Sequence, residues 1–136
     1  MDKLLQMMGL ARRANLLLAG EEVVADAIAA HKARLVLLAA DASERTGKKI
    51  RQMAGETLPV LVLPAAKDAL GAALGKGSCA VAAVLDGGFA AKLAQMLAQS
   101  NPEYVAAAER LNQKEAKRQR RKKEKPRIRK KSWDRG

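Results

Sequence analysis

Three short apolar runs decide what this chain can fold into. Leu35-Val36-Leu37-Leu38, Pro59-Val60-Leu61-Val62-Leu63 and the run from Ala80 to Leu85 lack polar alternation. A strand with one wet face alternates, so these strands must be covered on both sides. Before and after them, apolar residues recur at helical spacing: Leu4, Met7, Met8 and Ala11, then Val24, Ala27 and Ile28, then Phe89, Leu93, Met96 and Leu97. Alternating strands and helices of this kind predict an α/β/α sandwich around a largely buried sheet.

Local signals place the helix ends. The first helix closes near Arg12-Arg13, and the apolar Leu16-Leu17-Leu18 is ended by Gly20. Glu21-Glu22 opens the second helix, where carboxylates suit the positive end of the dipole. Asp41 and Glu44 read as a capping pair for a third helix through Met53. A short helix follows over about 66–74, and Asp86 caps the helix that carries Phe89. Pro102 then stands at the first position of another helix. Its Ala, Glu, Gln, Lys and Arg content would carry it toward Lys125, where Pro126 is expected to stop it.

Charge divides the chain. Residues 112–136 hold 13 Lys or Arg against 3 Asp or Glu, a net of +10 in a chain whose total is +12. A run such as Lys117-Arg118-Gln119-Arg120-Arg121-Lys122-Lys123 repels itself and seeks a polyanion. RNA or DNA is the default partner, because released counterions drive such contacts. The organisation expected is a domain at 1–99, a connecting helix start at 100–111 and a Lys/Arg-rich tail at 112–136, helical in part or disordered. With one Phe, one Tyr and one Trp, the chain has almost nothing on which to stack single-stranded bases.

Several chemistries are excluded. Gly71-Ala72-Ala73-Leu74-Gly75-Lys76-Gly77-Ser78 has three residues, not four, between its first Gly and the Gly-Lys pair, and Gly77 separates the lysine from Ser78. It also leaves a helix and enters a strand, the reverse of a phosphate-binding loop. A helix stop and a turn explain it. His31 is the only histidine, so no His-based metal site or Ser-His pair can form. It reads as partly buried or as an end cap. Cys79, alone, excludes an internal disulfide, fits a reducing compartment and reads as a small core residue. No apolar run approaches the roughly 18 residues of a membrane span. A cytoplasmic monomer with no enzymatic activity, cofactor, metal or membrane partner is expected.

The phrases Gly9-Leu10-Ala11-Arg12-Arg13-Ala14, Leu18-Ala19-Gly20-Glu21-Glu22-Val23-Val24 and the segment Ala33 to Ser43 occur in order with Leu70 to Gly77 and Val84-Leu85-Asp86-Gly87-Gly88-Phe89-Ala90. Together they resemble the bacterial YlxQ-like branch of the ribosomal protein L-seven-Ae/L-thirty-e superfamily, over roughly residues 3–98. The resemblance implies a three-layer sandwich with a four-stranded mixed sheet that binds structured RNA. It also implies a site joining the second helix's start to the loop before the last strand. In that superfamily a Gly-x-Asn-Glu-x-x-Lys pattern reads the sheared G·A pairs of a kink-turn. Gly20 matches the glycine, whereas Glu22, Val23 and Asp26 stand at the Asn, Glu and Lys positions. An ionised Glu only accepts hydrogen bonds, and Asp repels phosphate.

The expected function is therefore that of a ribosome-associated or ribosome-assembly RNA-binding protein. Its folded domain would use Gly20, Glu21, Glu22, Lys67, Gly75, Lys76, Gly77 and Ser78. The tail would use Lys117, Arg118, Arg120, Arg121, Lys122, Lys123, Arg127, Arg129, Lys130 and Lys131 on phosphates. The acidic Glu21-Glu22…Asp26 cluster raises an alternative: an adaptor whose domain binds a ribosomal or translation-factor protein while the tail alone binds RNA.

Overall fold

In the computed structural model, which describes residues 2–135 and the side chains of residues 3–121, the apolar runs become strands of one sheet. The spatial order is β1 (Leu17–Ala19), β4 (Val81–Val84), β2 (Leu35–Leu38) and β3 (Val60–Val62). β4 is antiparallel to both its neighbours, with Ala83 opposite Leu18 on one side and Val36 on the other. β2 and β3 are parallel. The sheet is mixed and four-stranded, as the resemblance implied.

Helices cover both faces, which is why the strands show no polar alternation. On one face α1 (Asp2–Arg13), α4 (Lys67–Leu74) and α5 (Gly87–Ser100) bury Leu4, Met8, Leu70 and Leu93 against Leu35, Leu37 and Val84. On the other, α2 (Glu21–Ala29) and α3 (Glu44–Ala54) bury Val24, Ile28 and Ile50 against Val36, Leu38 and Ala83. The stripe of Val24, Ala27 and Ile28 lies inward, as its spacing predicts.

A 3₁₀ turn at Pro102–Tyr104 leads into α6 (Val105–Arg135), which folds back along α5. Ala108 and Leu111 on α6 are buried in the same core as Leu93 and Leu97. The Tyr104 hydroxyl accepts a 3.0 Å hydrogen bond from the Val62 N–H on the open edge of β3. That removes a donor from the outer edge of β3, one of the sheet's two edge strands. The expected helix stop at Pro126 is absent, since α6 continues to Arg135. An interior proline removes one helical hydrogen bond and crowds the carbonyl four residues back, a cost of about 3 kcal/mol that weakens a helix without always ending it.

Two end signals work differently from their sequence reading. Asp41 does not cap α3. That helix has Ser43 as its N-cap, whose hydroxyl accepts from the Thr46 N–H at 3.1 Å. Asp41 instead reaches α4, where its Oδ1 accepts from the Lys67 N–H at 2.7 Å. Ala66 offers α4 no cap of its own, so Asp41 supplies the missing acceptor from elsewhere in the chain. His31 does end α2, but through its backbone. At φ 58° it donates to the Ile28 carbonyl, and Lys32 donates to Ala27, the paired bonds of a left-handed helix end. The imidazole is exposed, not partly buried.

Candidate nucleic-acid interface

The antiparallel pairing of β1 with β4 brings the end of one strand to the start of the other, so Gly20 and the Gly75–Ser78 loop share one end of the sheet. Gly20 is the N-cap of α2 at φ 118° and ψ 146°, a conformation close to glycine-only territory. Its N–H donates to Val81 O at 3.0 Å, and its carbonyl accepts from the Val24 N–H at 3.0 Å. A Cβ placed on Gly20 would stand 3.3 Å from the Lys76 Nζ. The lysine ammonium therefore borders the space that a side chain at 20 would take.

The way α4 ends places the Lys76 backbone there. Gly75 takes a left-handed conformation at φ 76°, and the Lys76 N–H turns back to Gly71 O at 2.7 Å. Gly71 has no side chain because the loop lies on it: a Cβ would fall 2.7 Å from the Ser78 Cα. The Gly-rich segment is a helix stop folded against its own helix. Gly77 and Ser78 are exposed beyond it. Lys67, half-buried at the first position of α4, accepts the Cys79 N–H at its carbonyl. Gly20, Lys67 and Gly75–Ser78 thus belong to one surface.

Glu21 turns away from that surface. Its Oε1 accepts from the Thr46 hydroxyl at 2.9 Å, and its Oε2 lies 3.7 Å from the Lys49 Nζ. It ties α2 to α3. Glu22, Val23 and Asp26 are exposed on α2. No local motif could have revealed Thr46 and Lys49, because their link to Glu21 is tertiary.

Beneath the loop lies Cys79, buried, with its thiol donating to Val81 O at 3.2 Å. Burial pushes the thiol above its ordinary value of 9.0, against the opposing pull of the Val81 hydrogen bond and of the Lys76 and Arg12 charges. Arg12, not singled out by sequence, adds a second positive charge near this end of the sheet.

The described side chains of the tail, over 112–121, do not join this surface. α5 runs away from the far end of the sheet and α6 returns to it, so Glu115 lies against Gly87 and Gly88 at the start of α5. Lys117, Arg120 and Arg121 are exposed there, and Arg118 is paired with Glu115 at 2.9 Å. The side chains of Lys122, Lys123, Arg127, Arg129, Lys130 and Lys131 lie outside the described residues. Among the described residues, no group of three or more His, Cys, Asp or Glu could hold a metal ion, and no helix is long and apolar enough to cross a membrane.

Residues 2–94 match the profile of the ribosomal protein L7Ae/L30e/S12e/Gadd45 family. Over 91 residues the chain is 37% identical to the RNA-binding protein YlxQ of Bacillus subtilis strain 168, a match covering 67% of this chain and 91% of that one. A solved Bacillus halodurans protein superposes with a TM-score of 0.64 at 41% identity, over 70% of this chain and 96% of that one. The 15.5 kD RNA-binding protein of Giardia lamblia shares the fold, with a TM-score of 0.57 at 20% identity over 68% and 82% of the two chains.

Proposed function

From the premise that the chain belongs to the ribosomal protein L7Ae/L30e/S12e/Gadd45 family, we propose that it is a non-enzymatic, YlxQ-like RNA-binding protein acting on the ribosome or in its assembly. Structured RNA docks on the sheet end that carries Gly20, Lys67 and Gly75–Ser78. The observation that carries this reading is the meeting of Lys76 with Gly20, which presents one ammonium beside a helix start that has no side chain in the way. A phosphate can approach such a helix start closely. The basic tail adds contacts to phosphates without regard to sequence.

Glu22 and Asp26 set the limits of this site. They repel phosphate where the kink-turn pattern supplies Asn and Lys, so orientation by shape dominates over base reading. Titration of the full chain against a kink-turn hairpin, a plain duplex and a single strand tests the proposal. Binding to structured RNA that weakens on Lys76→Glu supports it, and binding indifferent to Lys76 refutes it.

The adaptor reading keeps one observation in its favour. Val23 is 44% exposed between Glu22 and Asp26, an apolar point flanked by acids that suits a basic protein surface. Under that reading the Lys76→Glu variant binds RNA as the unaltered chain does.

A further inference from the structure

At the end of the sheet opposite Gly20 lies a cleft of about 530 Å³ that joins three of the tail's basic residues, Lys117, Arg118 and Arg121, to a wall from outside the tail. One wall is the chain between α2 and β2, with His31 and Arg34. The other is α6, which contributes Lys114, Lys117, Arg118 and Arg121. These four helical positions follow i, i+3, i+4, i+7 spacing, so they form one stripe about 10 Å long at 1.5 Å per residue. Among the described residues only Arg118 of the cleft's cations is in an ion pair. Arg34, Lys114, Lys117 and Arg121 line the cleft with no ion-pair partner among the described residues, and the carboxylate that lines it, Glu115, is paired with Arg118.

Both walls are fixed. The Arg34 N–H donates to Val84 O at 2.7 Å, which anchors that wall to the sheet. α6 is held by Ala108 and Leu111 in the core and by the Glu115 carboxylate lying against Gly87 and Gly88. That carboxylate sits at the positive end of α5, where negative charge is favoured. A Cβ on Gly87 would come closer to Glu115 than real Cβ atoms ever approach a neighbour, so the helix seats against bare backbone. This part of the basic segment is a wall of the folded domain.

We infer that this cleft is a second RNA contact, gripping the phosphate backbone of a strand that continues from the one docked at Gly20 and Lys76. The inference rests on the RNA-binding reading above. Charge favours a phosphate backbone over a neutral apolar partner: four of the cleft's cations lack an ion pair among the described residues, while its one carboxylate, Glu115, is paired with Arg118, and Met53, 37% exposed, adds a single apolar point. A stripe of about 10 Å spans the axial rise of about three nucleotides of one duplex strand. The backbone anchors of the two contacts, Gly20 on Val81 O and Arg34 on Val84 O, are three strand residues apart, roughly 10 Å at about 3.3 Å each. One folded RNA can bridge that distance, and joining the two sites raises affinity through effective concentration.

Arg34 separates this from a loose polycationic tail, because it belongs to the other wall. The test uses the full chain, a fluorescein-labelled kink-turn hairpin and anisotropy between about 50 and 200 mM salt. Arg34→Glu and Lys117→Glu are each expected to weaken binding about three- to tenfold and to reduce the salt slope by about 1. The double variant is expected to lose less than the product of the two, since both residues hold one strand. Lys92→Glu, an exposed α5 lysine outside the cleft, controls for net charge. If Arg34→Glu behaves like Lys92→Glu while Lys117→Glu weakens binding, the tail acts alone and the cleft proposal fails. If polyglutamate binds more tightly than RNA, in a manner sensitive to Arg34→Glu, the cleft is a protein site and the proposal fails. If the unaltered chain binds no RNA, the RNA reading itself fails and the cleft's phosphate occupant falls with it.

Discussion

The Lys76 ammonium and the bare Cα of Gly20 face each other across one end of the sheet, at a spacing that leaves a Cβ only 3.3 Å from the nitrogen. Gly20 is also held at φ 118°, so the backbone conformation is the main obstacle to an alanine there, and the Lys76 tip need shift by only a few tenths of an ångström. The backbone conformation costs about 1–3 kcal/mol for a residue with a side chain. Gly20→Ala is expected to lower stability by that amount in urea denaturation and to weaken RNA binding by placing a methyl group at the bare helix start beside Lys76. A variant that keeps full stability and full affinity would show that the pair has no role.

Gly71 and Gly75 sit four residues apart and resist substitution for different reasons. At Gly71 a Cβ collides with the Ser78 backbone at 2.7 Å, and backbone cannot rotate away as a side-chain tip can. At Gly75 nothing lies within 4 Å, so only the left-handed φ of 76° opposes a side chain. Gly75→Ala is expected to cost about 1–2 kcal/mol, the penalty of that conformation. Gly71→Ala is expected to cost about 1–3 kcal/mol through overpacking and to move the loop. Amide chemical shifts of residues 76–78 should change widely in Gly71→Ala and little in Gly75→Ala.

Periodicity made the layers readable, and tertiary partnership hid the site's details. Val24, Ala27 and Ile28 had to face one way whatever the rest of the chain did, because helical spacing alone sets their stripe. Asp41 looked like the cap of the next helix, since a capping rule can only search nearby residues. Its real partner, the Lys67 N–H, is brought close by the parallel pairing of β2 with β3. Glu21 was grouped with the RNA-facing residues by its place beside Gly20, yet the packing of α2 on α3 gives it to Thr46 and Lys49. His31 continued an inward stripe by number, but the left-handed turn after Ala30 swings it out. The cleft at Arg34 was invisible for the same reason: its walls, Arg34 and Lys114 among them, come from segments far apart in the chain and joined only by the return of α6.

Glu21 and Glu22 are adjacent and should behave oppositely. Glu21 is engaged with α3 and partly exposed, and surface pairs of this kind contribute about 0–1 kcal/mol. Glu21→Gln is expected to change stability by less than about 1 kcal/mol and to leave RNA affinity within about twofold. Glu22 is exposed one residue beyond, beside the docking surface. Glu22→Lys should tighten binding and steepen the salt slope by about 1, since it adds a phosphate contact. Equal effects of the two changes, read by anisotropy across a salt series, would mean that both carboxylates face the RNA.

Cys79 gives the structure a pH signature. Burial holds its thiol above the ordinary 9.0, so the unfolded chain releases this proton first as pH rises. Stability from the neutral buried thiol is complete below about pH 9 and is lost as pH climbs through the raised folded value. Cys79→Ala should flatten that alkaline decline relative to the unaltered chain. At about pH 8 the native thiol should also react with iodoacetamide far more slowly than the urea-unfolded chain, because the thiolate is the attacking form and burial both depletes it and hides it from the reagent. Equal rates would mean that the thiol is accessible in the native fold.

Leu111 decides whether the start of the basic segment belongs to the domain. It is 6% exposed, packed with Ala108 into the core that holds Leu93 and Leu97. Removing most of a buried leucine costs about 2–5 kcal/mol, depending on how far the surroundings collapse into the gap. Without that anchor α6 is a highly charged helix with little packing, and such helices are marginal in water. Leu111→Ala should therefore raise hydrogen exchange along 105–121 far more than in β2 or β4, whose amides lie at the centre of the sheet. It should also lower RNA affinity while leaving the Lys76→Glu effect intact, because the two surfaces lie at opposite ends of the sheet. Uniform exchange changes across the chain would mean that α6 is inseparable from the core, and unchanged exchange in α6 would mean that Leu111 does not hold it.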